Sequence, residues 1–262
     1  MKRTKIDIEL RNFPEEFHTF LKRAEVFDSS CSKEARVYFL DVDGGLYLKT
    51  SKSGSLKKEA LMDDYFFKKG LGAPEVVKYI EGERDWLLTA RVAGEDCTHA
   101  EYLADPKRLC DLLGSKLREL HETDCSDCPI NDHTGNYLAT AARNFKVGEY
   151  DTSLFPDSWG YRSAEEAWSV LQDGKHLLKT DTLLHGDYCL PNVMLDGWSF
   201  SGFIDLGNGG VGDRHVDLFW GAWTLNFNLG TDEFRERFFD AYGRDRVDEK
   251  MLKIVAAAEV FG

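Results

Sequence analysis

Two carboxylates and one amide are spaced along the chain as a phosphoryl-transfer site requires. Asp187 follows His185-Gly186, Asn192 comes five residues later, and Asp205 lies at the end of the next expected strand. An aspartate at the first position can orient or deprotonate an acceptor hydroxyl, while the amide and the second carboxylate can hold Mg²⁺ against nucleotide phosphates. Each residue alone is typical of a turn or a cap. Their joint spacing instead predicts phosphoryl transfer.

A lysine and a glutamate in the first third of the chain extend this prediction. Lys49 ends the second strand of an expected hairpin, and Glu59 follows ten residues later on an expected helix. A strand lysine that is held by a helix glutamate can bind the α- and β-phosphates of a nucleotide. The sequence contains neither G-x-x-x-x-G-K-[ST] nor G-x-G-x-x-G, which disfavours P-loop and Rossmann-type sites.

The elements that must position these residues fall into two groups. Before residue 92 the patterns predict two hairpins (36–49 and 75–89) and a helix at about 55–69. After residue 94 the spacing of Leu109, Leu113, Leu117 and Leu120 predicts a helix that begins at Asp105-Pro106. Short strands are expected around the motif and helices after it. We therefore predict an N-terminal, nucleotide-binding lobe at 1–92, a hinge near 90–94, and a catalytic and substrate-binding lobe at 93–262.

Charge and hydropathy limit the classes of partner. Thirty-three basic and 46 acidic residues give a net charge of −13, which argues against nucleic acid and is compatible with a cationic ligand. No apolar run approaches the roughly 20 residues of a membrane span, and no apolar segment follows the basic start, Met1-Lys2-Arg3. We expect a cytoplasmic protein with no membrane association.

The motif resembles a known family. His185-Gly186-Asp187, Asn192 and Ile204-Asp205 resemble the aminoglycoside phosphotransferases, relatives of the protein kinases. Cys189-Leu190-Pro191 and the later Gly210-Val211-Gly212-Asp213-Arg214 look most like the 3′-phosphotransferases, or kanamycin kinases. The similarity runs from about residue 35 to the end. It implies an α+β, two-lobed, protein-kinase-like fold, with a small antiparallel-sheet N-lobe and a larger, mainly helical C-lobe.

The resemblance also implies a role for each motif residue. Asp187 would be the catalytic aspartate, and Asn192 and Asp205 the Mg²⁺ ligands. ATP or GTP would be the phosphoryl donor. Lys49 and Glu59 would hold its phosphates, and Tyr47 would stack on the nucleobase. The backbone of Ala90 and Val92 would meet the edge of the base, and the loop that contains Ser32 would cover the phosphates.

The implied acceptor is a cationic aminoglycoside, phosphorylated at its 3′-hydroxyl as in antibiotic resistance. Several ammonium groups require an acidic pocket, for which the candidates are Asp157, Glu165, Glu166 and Glu259. For the first three, solvated helix carboxylates are an equal alternative. The chain departs from the family pattern at two positions: Ala258 replaces a substrate-facing carboxylate, and Asn208 replaces an arginine.

Two other functions stay open on the sequence. The same fold could phosphorylate choline, homoserine, fructosamine or a macrolide, and choline would require an aromatic cage, for which the candidates are Trp159, Tyr161, Trp168, Trp220 and Trp223. A non-catalytic nucleotide-binding module is the other alternative, although the complete set of catalytic residues argues against it. We expect a monomer or a weak dimer.

Overall fold

Residues 3–31, 35–150 and 160–262 are described by a computed structural model, in which the chain divides into two units. The first unit comprises Met1–Asp96 and Val193–Gly207, and the second comprises Cys97–Asn192 and Asn208–Gly262. The chain therefore passes from one unit to the other at 96/97, 192/193 and 207/208. The sequence predicted a single boundary at 92/93, so the structure differs in assigning 193–207 to the first unit.

A six-stranded antiparallel sheet forms the centre of the first unit. Its order is β1-β2-β3-β4-β6-β5, and the strands are β1 (Thr4–Lys5), β2 (Glu25–Asp28), β3 (Arg36–Asp41), β4 (Leu46–Lys52), β5 (Val76–Ile80) and β6 (Arg84–Ala90). The two predicted hairpins are confirmed, because β3 pairs with β4 and β5 pairs with β6 in antiparallel register. The predicted helix near 55–69 is α2 (Lys57–Lys68).

The two faces of this sheet have different neighbours. Leu46 and Leu48 of β4 are buried against Phe13 and Phe17 from the N-terminal segment, which includes helix α1 (His18–Leu21). Side chains alternate between the faces of a strand, so Tyr47 and Lys49 point to the opposite face. The N-terminal segment thereby fills one face and leaves the other to the polar side chains.

A second, three-stranded sheet explains why 193–207 belongs to the first unit. It has the order β10-β9-β7, with β7 at Glu95–Asp96, β9 at Val193–Asp196 and β10 at Ser199–Phe203. The β7–β9 pairing brings Gly94 so close to Leu195 that a Cβ atom at this glycine would collide with the Leu195 carbonyl. The N–H of Phe203 also donates to the carbonyl of Gly72 at 2.6 Å. These backbone contacts connect the motif strands to the first unit.

The second unit is mainly helical. Its helices are α3 (Ala100–Leu103), α4 (Pro106–His121), α5 (His133–Val147), α6 (Ala164–Gly174), α7 (His215–Leu229), α8 (Arg235–Tyr242) and α9 (Glu249–Glu259), beside the paired strands β8 (Thr182–Leu184) and β11 (Gly210–Gly212). The predicted start of α4 is confirmed, because the Asp105 carboxylate accepts from the N–H of Arg108 at 3.2 Å and Pro106 opens the helix.

The predicted α+β class is confirmed, with an antiparallel sheet in the first unit and helices dominating the second. The apolar helix faces that sequence periodicity indicates are buried, as Leu109, Leu113, Leu117 and Leu120 of α4 illustrate. Within the described ranges, no helix is long and apolar enough to cross a membrane.

Candidate active site

A cavity of about 340 Å³ opens on the polar face of the first unit's sheet. Its lining includes Tyr47 and Lys49 of β4, Ala90 and Val92 at the end of β6, and Asp205. All five were predicted from the sequence to bind the nucleotide or Mg²⁺, and they line one cavity. The N–H of Ala90 donates to the carbonyl of Glu75 at 2.9 Å, so this N–H is already used within the sheet.

Lys49 is the central cation of this cavity. Its Nζ donates to Oε1 and Oε2 of Glu59 at 2.9 and 2.8 Å, and it also contacts Oδ1 of Asp205. Burial by itself would lower the pKa of Lys49, but the charges of Glu59 and Asp205 outweigh burial and raise it above its ordinary value. The ammonium therefore stays charged at physiological pH and is fixed in place. The predicted pairing of Lys49 with Glu59 is present.

Asp205 has an unusual backbone conformation. Its φ of 62° lies in the left-handed region, which non-glycine residues other than Asn and Asp seldom adopt. Such strain persists where surrounding structure enforces it, and it is concentrated at functional sites. Here the residue ends the segment after β10, and a 3-10 turn over Leu206–Asn208 follows. About half of the carboxylate surface is exposed, so this side chain could reach a ligand.

In the second unit, Asn192 holds Asp187. Its Nδ2 donates to the carbonyl oxygen of Asp187 at 3.0 Å and to Oδ2 at 2.9 Å. The two amide hydrogens are therefore used within the motif, and the side-chain carbonyl Oδ1 is the atom that Asn192 can offer to a cation. The N–H of Asn192 donates to the carbonyl of Cys189 at 2.9 Å, which closes the turn between the two residues.

The backbone before Asp187 is shaped by a close approach. Gly186 has a φ of 84°, and a Cβ atom at this position would collide with the carbonyl of Asn208. The N–H of Asp187 donates to Nδ1 of the buried His185 at 3.3 Å. His185 thus braces the loop through this hydrogen bond. Asn208 contributes to this loop through its backbone.

Asp217 of α7 is the buried anchor of the same loop. Its Oδ2 accepts from the N–H of His185 at 2.8 Å and its Oδ1 from the N–H of Gly186 at 2.7 Å. His121 of α4 is also within hydrogen-bonding distance of Oδ2, at 3.1 Å, and its Nδ1 lies 2.9 Å from the Tyr242 hydroxyl. Burial would raise the pKa of Asp217, but these donors outweigh it and keep the pKa below its ordinary value. Asp217 is therefore a buried anion with well-placed donors.

Glu259, the candidate substrate residue on α9, is held by two aromatic side chains. Its Oε1 accepts from the Tyr137 hydroxyl at 2.8 Å and from Nε1 of Trp220 at 3.1 Å. Burial raises the pKa of Glu259 to about 7, although the two hydrogen bonds act in the opposite direction. Ala258, where the family pattern has a carboxylate, is completely buried.

The other predicted substrate carboxylates that the structure describes are Glu165 and Glu166. Glu165 and Glu166 are exposed in the first turn of α6, and the Glu166 carboxylate accepts from the N–H of Arg162 at 3.1 Å. The Ser163 hydroxyl accepts in turn from the N–H of Glu166 at 3.1 Å, so the pair is similar to a capping box, with the glutamate bonded to the residue before the cap. A structural role thus accounts for the position of Glu166. Asp157 and Ser32 lie outside the described residues, so their roles stay predictions.

The aromatic residues considered for a choline cage have other partners. Trp168 stacks on Phe145 with a ring-centroid distance of 4.3 Å and an interplanar angle of 6°. Trp220 donates to Glu259, and Tyr161 donates to the carbonyl of Lys253 at 2.6 Å. Trp159 lies outside the described residues. For Trp168, Trp220 and Tyr161, a ring face or the polar group is thus already engaged in packing or hydrogen bonding.

Asp217, His121 and Tyr137 belong to the site although the sequence predicted no role for them. Asp217 and His121 lie far from each other in the sequence, and their contact joins positions 96 residues apart. A buried polar residue on an otherwise apolar helix was the available signal. Tyr137 carried no such signal, because aromatic residues on helices usually belong to the core. Trp220 was considered only for a choline cage, and its hydrogen bond to Glu259 was not predicted.

Comparison with known proteins agrees with the geometry. The family model described as the APH phosphotransferase enzyme family matches residues 31–252. A probable aminoglycoside 3′-phosphotransferase of Lactococcus lactis is 50% identical over the whole chain and 99% of its own length. An aminoglycoside 3′-phosphotransferase of Niallia circulans is 30% identical over 73% of each chain.

Solved structures support the fold. The crystal structure of an aminoglycoside-3′-phosphotransferase of type VIII superposes with a TM-score of 0.78 at 24% identity, covering 95% of this chain and 100% of the other. Aminoglycoside phosphotransferase APH(3″)-Id from Streptomyces rimosus, solved with ADP and streptomycin, gives 0.75 at 22% identity and covers 98% and 100%. The predicted kinase-like fold and a phosphotransferase activity with a hydroxyl acceptor are confirmed. With the match over 31–252 and the full-length relative, the chain belongs to the APH phosphotransferase enzyme family, the family that its motifs resemble.

Proposed function

We propose that this enzyme transfers the terminal phosphoryl group of ATP or GTP to the 3′-hydroxyl of an aminoglycoside, and that it confers resistance to such antibiotics. The observation that carries the proposal is the 50% identity, over the whole chain, to a probable aminoglycoside 3′-phosphotransferase. The site residues are consistent with a phosphoryl-transfer mechanism.

The nucleotide part of the mechanism uses the cavity of the first unit. Lys49 would bind the α- and β-phosphates, because its ammonium is permanently charged and is oriented by Glu59. Tyr47 would stack on the nucleobase, and the backbone of Ala90 and Val92 would meet its edge. Ser32 would cover the phosphates through its backbone N–H. The fixed positive charge of Lys49 would stabilise the negative charge that is shared among the phosphoryl oxygens during transfer.

Mg²⁺ fits the donor set of the motif. Asp205 offers a carboxylate beside Lys49, and Asn192 offers an amide oxygen whose NH₂ group is already used. The described residues contain no group of three His, Cys, Asp or Glu side chains placed to hold a metal, and Mg²⁺ commonly takes only one or two protein ligands besides phosphates and water. The cation would neutralise charge on the phosphates. Because Asp205 contacts Lys49, the phosphates that Lys49 binds would lie next to the Asp205 carboxylate.

Asp187 would orient the acceptor hydroxyl and accept its proton. The hydroxyl oxygen forms a bond to the γ-phosphorus, the bond to the leaving nucleoside diphosphate breaks, and the proton passes to the Asp187 carboxylate. The hydrogen bond from Asn192 and the backbone anchored by Asp217 fix the position of that carboxylate. This preorganisation supplies the alignment that phosphoryl transfer requires.

Acidic groups would select the acceptor. Glu259 would bind an ammonium group of the aminoglycoside, and Asp157, Glu165 and Glu166 are further candidates for this role. The net charge of −13 raises the local concentration of a polycation. We further propose that the enzyme acts in the cytoplasm, where nucleoside triphosphates are available, as a monomer or weak dimer without nucleic-acid or membrane partners.

A direct test measures nucleoside diphosphate release by the purified enzyme with kanamycin and with a matched aminoglycoside that lacks the 3′-hydroxyl. We expect turnover with kanamycin but not with the aminoglycoside that lacks the 3′-hydroxyl, and NMR should place the phosphate on the 3′-oxygen. Asp187→Asn should give no turnover with either acceptor. Choline, homoserine, fructosamine and a macrolide serve as competing acceptors. Preferred transfer to one of these, or equal turnover with Asp187→Asn, would contradict the proposal.

A further inference from the structure

Arg3 lies at the cavity although its sequence neighbours gave no reason to expect it there. Its guanidinium carbon is 3.5 Å from the centroid of the Phe39 ring, and its Nη2 donates to the Tyr47 hydroxyl at 2.7 Å. Arg3 lines the same cavity as Lys49. Arg3 thus contacts Tyr47, the side chain that is proposed to stack on the nucleobase.

The fold delivers Arg3 to this face by bending the N-terminal segment around the edge of the sheet. Strand β1 pairs with β2, with Thr4 opposite Asp28. The residues that follow, including Phe13 and Phe17, pack on the opposite face of the sheet. Arg3 therefore lies on the cavity face, while the segment after β1 fills the apolar face.

The chemistry of this contact suits an arginine. A planar guanidinium can stack on an aromatic ring and at the same time donate from its edge, which a lysine ammonium does not reproduce. Arg3 stacks on Phe39 and donates to Tyr47, and the two rings are themselves 5.2 Å apart. Phe39 and Tyr47 are also cross-strand partners in β3 and β4. The Tyr47 ring is therefore held from its hydroxyl end as well as from its side.

We propose that Arg3 is a positioning residue of the nucleotide site, which fixes the Tyr47 ring as a platform for a purine base. This inference rests on the proposed function, because that function assigns Tyr47 to base stacking. A platform that is already ordered loses less conformational freedom when the nucleotide binds. Arg3 acts through Tyr47 and takes no part in the transfer itself.

The test compares Arg3→Met, Tyr47→Phe and the double variant in the full-length enzyme. Arg3→Met removes the contact with Tyr47, and the loss of one contact of this kind should raise the nucleotide Kd and KM about threefold to tenfold. The kcat and the acceptor KM should be unchanged. Because Arg3 acts through the tyrosine hydroxyl, Tyr47→Phe should have a similar effect, and the double variant should be no weaker than either single variant. Arg3→Lys should restore binding only in part.

Lys5→Met is the matched control, because Lys5 lies on the same strand and makes an exposed ion pair with Glu25 at 2.5 Å. It should leave nucleotide binding unchanged. If Arg3 only stabilises the sheet, Arg3→Met will lower the melting temperature without changing the nucleotide Kd, and the inference is wrong. Additive effects in the double variant would also overturn it.

Nucleotide binding is measured by calorimetry with Mg²⁺ and ATP or GTP, without an acceptor, so the two proposals can fail separately. A wild-type enzyme that binds nucleotide but phosphorylates no aminoglycoside would contradict the proposed acceptor, and the Arg3 comparison would still be decisive. A wild-type enzyme that binds no nucleotide would overturn both.

Discussion

Asp217 accepts a hydrogen bond at 2.7 Å from the backbone N–H of Gly186, the residue that immediately precedes Asp187. The same carboxylate accepts from His185 at 2.8 Å and is fully buried. An α7 side chain thus sets the conformation of the loop on which the proposed catalytic carboxylate lies.

Asp217→Asn should impair turnover without affecting nucleotide binding. An asparagine has one acceptor oxygen, and its NH₂ group would face a backbone donor, so one N–H loses its partner. We expect kcat to fall about 10²-fold through misplacement of Asp187 and the free energy of unfolding to fall by about 1–3 kcal/mol. Calorimetry should give an unchanged nucleotide Kd. Asp240→Asn, which alters an exposed ion pair on α8, is the control and should change neither quantity.

Glu59→Gln tests the buried partner of Lys49. The change removes the charge that orients the ammonium and leaves Asp205 as its remaining anionic contact. Hydrogen bonds to charged groups are worth about 1.5–3 kcal/mol, so kcat/KM for the nucleotide should fall about 10- to 150-fold. Glu81→Gln is the control, since its pair with Lys57 is more than half exposed on both sides. Equal effects of the two substitutions would argue against a role for Glu59.

Acceptor binding should depend on pH through Glu259. Its pKa is raised to about 7, so the side chain is a carboxylate above that pH and neutral below it. From pH 8 to pH 6 the ionised fraction falls about tenfold, and the KM for an aminoglycoside should rise accordingly. Glu259→Gln should have a high KM at both values. The substrate amines titrate equally for both enzymes. At each pH, the ratio of the Glu259→Gln KM to the wild-type KM therefore reports the ionisation of Glu259 alone. A ratio that stays constant would exclude this role.

Asp63 should make the native state less stable at high pH. This residue of α2 is buried, its Oδ1 has no hydrogen-bond partner among the described residues, and burial raises its pKa well above the ordinary value. The native state therefore holds the proton more tightly than the unfolded state does. The stabilisation is complete below the unfolded pKa of about 4 and is lost as pH rises through the native pKa.

Asp63→Leu should consequently raise the melting temperature, and its advantage over the wild type should grow between pH 5 and pH 9. The adjacent Asp64→Asn is the control, since Asp64 is partly exposed and pairs with Lys68 at 2.6 Å. Parallel pH profiles for wild type and Asp63→Leu would show that this carboxyl does not contribute to the pH dependence of stability.

Local chemistry explains what the sequence could predict. The Asp105 cap is determined by neighbouring residues, and the Lys49–Glu59 pair joins a strand and a helix only ten residues apart. Asp217 and Arg3 could not be assigned in this way, because their partners are about 30 and 44 residues away. Such contacts depend on how whole elements pack. Periodicity reports which face of an element is buried but not which polar group lies opposite it.

The discontinuity of the first unit constrains how such enzymes can exchange parts. A recombination event that joins two relatives at 96/97 would transfer Lys49 and Glu59 but leave Asp205 with the other parent. The hybrid would also have to pair Glu95 of one parent with Leu195 of the other, at a place where Gly94 permits almost no adjustment. A functional chimera therefore needs a double crossover that carries 193–207 along with 1–96. In this chain, 1–96 and 193–207 would have to be exchanged together, as two linked segments.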